Sequence, residues 1–578
     1  MPEEAKTQSQ VDVLIVGAGP TGLFLATELA LFNIPFRIID RNFHPTTQSR
    51  AIGITPRTME VLDSRGLSEA VLKDAVISEG AKLYDHGHYL ATFNVMDHLP
   101  SPFPFLTLLE QHKTERIFTE RLTEYHKSIE RGVELVRYDV DAEGGVAVVK
   151  KNVEGEVGEG VEEEIRFKYL VGADGAHSKV RKGWKDGWKY GGQSIKTTFF
   201  LADITFDSAL STTNPTHNHF HMFSHSTGMI GLLPLSHPPN AFRVIGNIDA
   251  YEVSSSTAIT HGVKKSGSTL TLETIQKIMD ERATPLKLVI NEDEVEWITE
   301  FQINERLADG FERGGRVFLC GDAGHCHSPV GGQGMNLGIT DAHNLAWKLA
   351  HSLLAPSTAS ALLKSYSPER IPVARSVVQN SSQGTTIVSS GAWWARLARS
   401  WFLPILTGLD AVKDRAGLVA SQCGVQYGEG RWAIGVGKTE EAKWGEKLFP
   451  TFKSTTRTPT TLHSILRSAI TSSCAPTYAL LLLIPHPPTT TITIPTLPHT
   501  TSIIIRPYNA SSALPVDPAV TEYLDYTGEV LKSFGVDGRE KGADGVMVLV
   551  RPDGVVGGVV EFGEEGLKRM GEVVGVQS

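Results

Sequence analysis

Asp322 ends the apolar run Val317-Phe318-Leu319-Cys320 with Gly321 beside it, and a glycine-rich turn follows, closing on Gly332-Gln333-Gly334-Met335-Asn336. From Asn336 onward Leu337, Leu345 and Leu349 recur at mainly helical spacing, so a strand delivers a carboxylate and a helix opens shortly after it. An ionised Asp only accepts hydrogen bonds and suits a sugar or ribitol hydroxyl, while the free N–H groups of a helix start favour an anion or an electron-rich carbonyl. Taken alone, the pattern equally describes a strand-to-helix connection that holds no ligand.

A second constellation stands at the other end of the chain. Gly17-Ala18-Gly19-Pro20-Thr21-Gly22 is GxGxxG, entered from the apolar run Val11–Val16 and left through a segment carrying Leu23, Leu25, Ala26, Leu29 and Ala30. The next apolar run, Phe36–Ile39, ends at Asp40, about 18 residues beyond Gly22, where a dinucleotide fold needs an acid for the ribose hydroxyls. The glycines have separate tasks: a tight turn, approach of the backbone to a pyrophosphate, and close packing of helix on strand. A strand, a helix and a terminal acid around the motif point to a bound dinucleotide, without saying which.

The elements between these sites must carry further ligand contacts. Thr55-Pro56 reads as the N-cap and first residue of a helix. Arg50, just before it, serves a pyrophosphate or pairs at the surface with Glu60 or Asp63. Gln111, early in a helix from Glu110, meets a cofactor edge or is a solvated helical Gln. Tyr169-Leu170-Val171-Gly172-Ala173-Asp174-Gly175, followed by Arg181, repeats the strand, Asp-Gly turn and helix start seen at Asp322, which suggests that distant segments return to one sheet.

From about 191 to 304 the pattern alternates, and Phe199–Phe206, His217–Phe223, Met229–Leu235 and Phe242–Ile248 read as strands of a separate sheet. Period two puts His217, His219, His221 and Phe223 on one face, either a substrate-facing wall or a solvated strand. Ala361–Arg375 reads as a helical cap. From about Arg457, short strands at Tyr478–Ile484, Thr501–Ile505 and Val546–Val550, with a helix at Asp517–Phe534 and an exposed loop at Pro485–Thr501, suggest a small α/β unit.

A chain of 578 residues exceeds one hydrophobic core and should divide into domains. Its net charge of -10 gives no footprint for nucleic acid or an anionic membrane. Four Cys with no CxxC and no metal-ligand spacing fit a reduced compartment without a metal site. Met1–Gln10 lacks the apolar run of a secretory signal, and the longest apolar stretch, Ala479–Ile484, is too short to span a bilayer, so a cytoplasmic protein is expected.

The ordered triple of Gly17–Gly22 with Asp40, Asp174-Gly175 with Arg181, and Gly321-Asp322 through Pro329 to Asn336 resembles the flavin-dependent aromatic hydroxylases, the group of para-hydroxybenzoate and phenol hydroxylase, over about the first 375 residues. The tail, with Arg551-Pro552-Asp553-Gly554, is similar to the thioredoxin-like domain of the phenol hydroxylase branch, without its CxxC.

The resemblance implies an α/β fold in three parts. A Rossmann-like FAD-binding domain comes in two pieces (1–190, and 305–400 with its helices), interrupted by a substrate-binding sheet (191–304). A linker (401–456) and a thioredoxin-like domain (457–578) follow, the last with a dimerisation or packing role. FAD is the implied cofactor and NADPH or NADH the transient reductant. Gly17, Gly19, Pro20, Thr21, Gly22, Asp40, Arg41 and Arg50 would hold the adenosine and pyrophosphate, and Gln111 a flavin edge. Asp174 and Gly175 would serve FAD and nicotinamide, Asp322 the ribitol, and Gly332, Gln333, Gly334, Met335 and Asn336 the isoalloxazine. The implied reaction takes O2 through a flavin C4a-hydroperoxide to an electron-rich phenol, with Arg243, His219, His221 and Pro329 as catalytic residues. Ile52 and Ile245 stand where phenol hydroxylase carries an acid and a Tyr, which fits a larger, flatter polyketide-type phenol, with Arg243 or one of the histidines assisting its ionisation. The same scaffold also admits an epoxidase, a Baeyer-Villiger enzyme or a reductase.

Overall fold

The computed structural model describes residues 8–47, 51–97, 99, 101–155, 160–211, 215–238, 240–248, 253–254, 270–328, 332–354, 356–389, 410–425, 427, 451–454, 459–461, 475–484, 500–507, 521–525, 545–553 and 556–561. Three larger sheets organise them.

In the first, Val317–Leu319, Val161–Gly172, Gln8–Val16 and Phe36–Asp40 lie side by side and parallel. Val13, Leu14 and Ile15 have no exposed surface, as expected of parallel strands covered on both faces, and each such side chain contributes about 1.5–3 kcal/mol by burial. The register matters most for the site. Val16 pairs with Gly172, and Gly172 with Leu319, so the chain leaves the sheet at one level into Gly17, Asp174 and Gly321. Three segments remote in sequence thus deliver their bends to one edge.

Two helices cover this edge. Pro20–Leu31 starts with Pro20 in its first turn, where a missing N–H costs nothing. Gly334–Leu354 is buried from Met335 to Ser352, although Asp341, His343, Asn344 and Lys348 interrupt its apolar surface. Buried charges on a helix need partners, and these have them.

The second sheet runs in the order Ile290–Ala308, Tyr190–Phe206, Ala241–Asn247, Gly228–Pro234, Phe220–His225 and Ala81–Asp85. Its two faces differ. Phe200, Ala202, Ile204, Phe223, Ile230, Leu232, Phe242 and Val244 form a core with Ile275 and Met279 of the helix Leu272–Arg282. The alternate residues, among them Leu201, Asp203, Arg243 and Ile245, lie on the opposite side, where Ala241 clusters with Ile52 and Leu108 of the first domain. The strand expected over His217–Phe223 begins only at Phe220. Thr216–His219 is a turn, with His219 N–H donating to the Thr216 carbonyl (3.3 Å), so period two does not extend back to His217 and His219.

The third sheet contains Tyr478–Leu483, buried at all six positions, paired in parallel with Thr500–Pro507 and antiparallel with Val546–Val550. The helix expected over Asp517–Phe534 is corrected at Thr521–Asp525, which is a strand parallel to Ile503–Pro507. Thr521 and Tyr523 suit a pleated surface, and pairing with Ile503 and Ile505 overrides the helical pattern. The cap is two helices, Pro356–Lys364 and Tyr366–Ser389.

Candidate functional site

The first bend is built on sterics. Gly17 has φ +104°, and a Cβ there would stand 2.4 Å from the Ala173 carbonyl oxygen; one on Gly22 would stand 1.9 Å from that of Gly17. Gly19 differs, because nothing lies within 4 Å of where its Cβ would be. That open space beside a helix start is the cradle a pyrophosphate requires. Asp40, at the end of its strand, accepts from Ala18 N–H (2.7 Å) and Asn42 N–H (2.8 Å), so it also holds the glycine loop in place. Arg41 is exposed. Arg50 and Pro329 lie outside the described residues.

Gln111 braces the backbone. Its N–H donates to the Ala51 carbonyl (3.0 Å), its Oε1 accepts from Ala51 N–H (3.3 Å), and its Nε2 donates to Glu115 (2.9 Å). Burial lifts the Glu115 carboxyl to about 7, with the Gln111 hydrogen bond and Arg131 opposing and the charge of Asp40 adding.

At the second bend Asp174 turns into its own helix, Oδ2 accepting from Lys179 N–H (2.6 Å) and Val180 N–H (3.3 Å), while Oδ1 is buried without a partner. Gly175, at φ +76°, has open space around it. Arg181 lies 3.7 Å over the Tyr190 ring and donates to the Ala176 (2.7 Å) and Ala323 (2.6 Å) carbonyls. One guanidinium thereby joins the Asp174 and Asp322 bends.

Gly321 and Gly338 both close on Thr21; a Cβ on either would meet Thr21 Oγ1 at 2.7 and 2.2 Å. Asp322 itself is exposed at the sheet edge. Asn336 is buried, its Nδ2 donating to the Gly53 and Gly332 carbonyls (both 2.8 Å) and its Oδ1 accepting from Thr55 N–H (2.9 Å). The helix begins with Leu337 N–H bonding the Gln333 carbonyl (2.9 Å), which leaves the N–H groups of Gly334, Met335 and Asn336 without intrahelical partners. An open cradle at Gly19, an exposed carboxylate at Asp322 and these donors fit the pyrophosphate, ribitol and ring carbonyls of FAD respectively.

Arg243 lies on the sheet face toward Ala51, but its fork is engaged. Nε donates to Asp203 Oδ1 (2.7 Å) and Nη2 to Oδ2 (2.6 Å), leaving Nη1 at 3.5 Å from the Ala51 carbonyl. His221 lies on the other face. It stands opposite Leu232, which stands opposite Val244, and stacks on Tyr84 at 6.0 Å. Burial lowers its imidazole to about 4. His219 sits in the preceding turn with Nδ1 against Asn218 (2.9 Å). Strand alternation therefore separates His221 from Arg243, and the two do not share a pocket.

Sequence reasoning overlooks what lies beneath the Asp322 bend. Asp341 Oδ2 accepts from Gly321 N–H (3.1 Å) and meets His325 Nε2 (2.6 Å), while Oδ1 accepts from Arg370 Nε (2.6 Å), all fully or almost fully buried. Burial raises the Asp341 carboxyl, and Arg370 and His325 more than reverse this. The available signal is an acid at position 341 inside an otherwise buried helix. Among the described residues no group of three or more His, Cys, Asp or Glu is arranged to hold a metal, and no helix is long and apolar enough to cross a membrane.

Three bends on one sheet edge, with an acid at the second strand and a helix start facing them, define an FAD-binding α/β protein. A family model described as the FAD binding domain matches residues 10–381, and the chain belongs to this family of FAD-dependent aromatic monooxygenases. It is 32% identical over 449 residues to 6-methylpretetramide 4-monooxygenase of Streptomyces rimosus, covering 75% of this chain and 74% of that protein. It is also 32% identical over 391 residues to rifampicin monooxygenase of Rhodococcus hoagii (66% and 72% covered). The anhydrotetracycline hydroxylase OxyS of Streptomyces rimosus shares the fold, with a TM-score of 0.68 at 23% identity over 98% of this chain and 99% of that one.

Proposed function

We propose that this enzyme hydroxylates a flat, phenolic, polyketide-type substrate with O2, using NADPH or NADH as reductant. The observation that carries the reading is the register placing Gly17, Asp174 and Gly321 at one sheet edge, with the second sheet turning its Ala241 and Arg243 face toward Ile52, Leu108 and the Ala51 carbonyl of the flavin domain. Relatives named for pretetramide and anhydrotetracycline support the substrate class.

Bound FAD supplies the electron transfer and oxygen activation. The chain's own residues do the rest. Gly19 and the helix start at Pro20 admit the pyrophosphate, Asp40 the ribose and Asp322 the ribitol. The N–H groups of Gly334 to Asn336 favour negative charge at the pyrimidine end of the ring. Ile52, Leu201 and Ile245 exclude water beside it. Arg243, already paired with Asp203, orients the wall and contributes little net charge to a phenolate. The strand order Thr500–Pro507, Tyr478–Leu483, Val546–Val550, Val556–Glu561 supports the thioredoxin-like reading of the C-terminal unit, whose role is packing against the flavin domain.

The test is NAD(P)H oxidation by the purified yellow protein across a panel of mono- and polycyclic phenols, with product mass under labelled O2. Stimulation by polycyclic phenols with one labelled oxygen per product supports the proposal. Oxidation without label in any product overturns it.

A further inference from the structure

Where the third sheet meets the flavin domain, Tyr478, Leu480, Met547 and Leu549 share one apolar core with the flavin helix, Tyr478 lying edge-on to Trp347 at 6.0 Å, and a charged set is embedded beside it. Arg551, 2% exposed, follows the buried strand Val546–Val550 and grips Glu369 with both ends of its fork (Nη1–Oε1 3.0 Å, Nη2–Oε2 2.9 Å). It also donates to Asp553 through Nε (3.1 Å) and Nη2 (2.6 Å). Glu369 further receives Lys348 Nζ (2.9 Å) and Asn344 Nδ2 (2.8 Å) from the flavin helix. Two cations, Arg551 and Lys348, thus face two carboxylates, Glu369 and Asp553, with Glu369 alone keeping some exposure (11%).

Apolar packing already docks the two domains at low desolvation cost, so a matched buried set is of most use in selecting a single register. A cavity of about 30 Å³, lined by Arg57, His343, Asn344, Gln422, Tyr427 and Asp553 among others, remains open beside the charges.

Two connected paths lead from this set to the dinucleotide bends. Glu369 is followed in its helix by Arg370, whose Nε holds Asp341, and Asp341 holds Gly321 N–H. The Pro552 carbonyl accepts from Arg65 Nη2 (3.3 Å), and Arg65 pairs with Glu28 on the helix that follows the Gly17 loop (2.5 Å). We propose that Arg551 is a positioning residue for FAD. Through Glu369–Arg370–Asp341 and Pro552–Arg65–Glu28, the C-terminal unit sets the separation of the Gly17 and Gly321 bends, so it is a working part of the flavin site. The inference rests on the reading that the Gly321-Asp322 bend takes the ribityl chain.

The test uses full-length Arg551→Met, Arg551→Lys and Asp322→Ala, reading FAD dissociation constant, flavin absorbance, flavin midpoint potential and the unfolding midpoint of each apoprotein. Arg551→Met is expected to weaken FAD about 10-fold and to shift the flavin band and potential, with Arg551→Lys recovering part of both. If Arg551→Met lowers only the unfolding midpoint while Asp322→Ala weakens FAD, the positioning role is wrong and the contact is merely structural. If Asp322→Ala leaves FAD affinity unchanged, the reading of the bend itself fails. Should Arg551→Met not fold, Arg551→Lys decides, since it keeps the charge and loses the bidentate fork. Unchanged flavin affinity, absorbance and potential in that variant overturn the proposal.

Discussion

Arg243–Asp203 in the second sheet and Arg370–Asp341 under the flavin bend are the same interaction in two settings. Each pair is almost wholly buried and at 2.6 Å. They differ in the third partner. The Asp203 carboxylate passes on to Trp297 Nε1 (2.9 Å), a side chain of its own sheet, whereas the Asp341 carboxylate passes on to the Gly321 backbone and to His325. A buried ion pair says little about function until that further contact is known, because the pair itself is close to neutral in energy against an apolar replacement.

The comparison breaks most visibly at Asp341. Asp341→Asn leaves the Arg370 guanidinium buried without a counter-charge and loosens Gly321, so a loss of about 3–5 kcal/mol is expected in urea unfolding, together with release of FAD. Arg243→Met strands Asp203 and should cost stability of similar order, about 3 kcal/mol, yet the protein should stay yellow. Combining it with Asp203→Asn removes both charges and should restore most of the stability. If Arg243→Met instead spares stability while raising KM and displacing the pH profile, Arg243 holds the phenolate and the two pairs are alike after all.

The glycines sharpen the contrast between scaffold and site on a smaller scale. Gly17→Ala places a methyl against the Ala173 carbonyl at a strained φ and should impair folding. Gly19→Ala meets no protein atom, so its unfolding midpoint should be within error of the parent while FAD binds at least about 10-fold more weakly, the equivalent of about 1.4 kcal/mol. Equal FAD affinity in Gly19→Ala would remove the pyrophosphate from that cradle.

How much of this is legible without coordinates depends on the range of the physical cause. The bends at Gly17–Gly22, Asp40, Asp174 and Gly321 can be read because their backbone requirements are local: positive φ, helix starts and strand ends leave residue types in fixed order. The face of His221 cannot be read so readily, since it depends on where the strand begins, and the Thr216–His219 turn moves that start to Phe220. Thr521–Asp525 is misjudged for a related reason, its partners Ile503 and Ile505 being set by tertiary pairing. Asp341 and Arg551 are least legible, because the partners that tie them to the site, Gly321 and Arg370 for Asp341 and Glu369 for Arg551, sit 20, 29 and 182 residues away and leave no periodic trace.

The finest distinction concerns two buried acids near the dinucleotide bends with opposite titration. Burial pushes Glu28 up, but Arg65 and His343 outweigh it and bring the carboxyl from 4.5 to about 2. Its stabilising contribution is present above pH 4.5 and is lost as pH falls through about 2. Glu115 has no cation close enough to offset burial, so its carboxyl stands at about 7. The folded state then binds a proton that the unfolded chain gives up, and the contribution, full below pH 4.5, is lost as pH rises through about 7. Glu115→Gln keeps the amide contact at Gln111 and cannot ionise, so unfolding free energy measured from pH 5 to 8 should lose its decline while the acid limb below pH 4 is unchanged. A decline of the same slope in Glu115→Gln would assign that window to another group and leave Glu115 ionised beside Asp40.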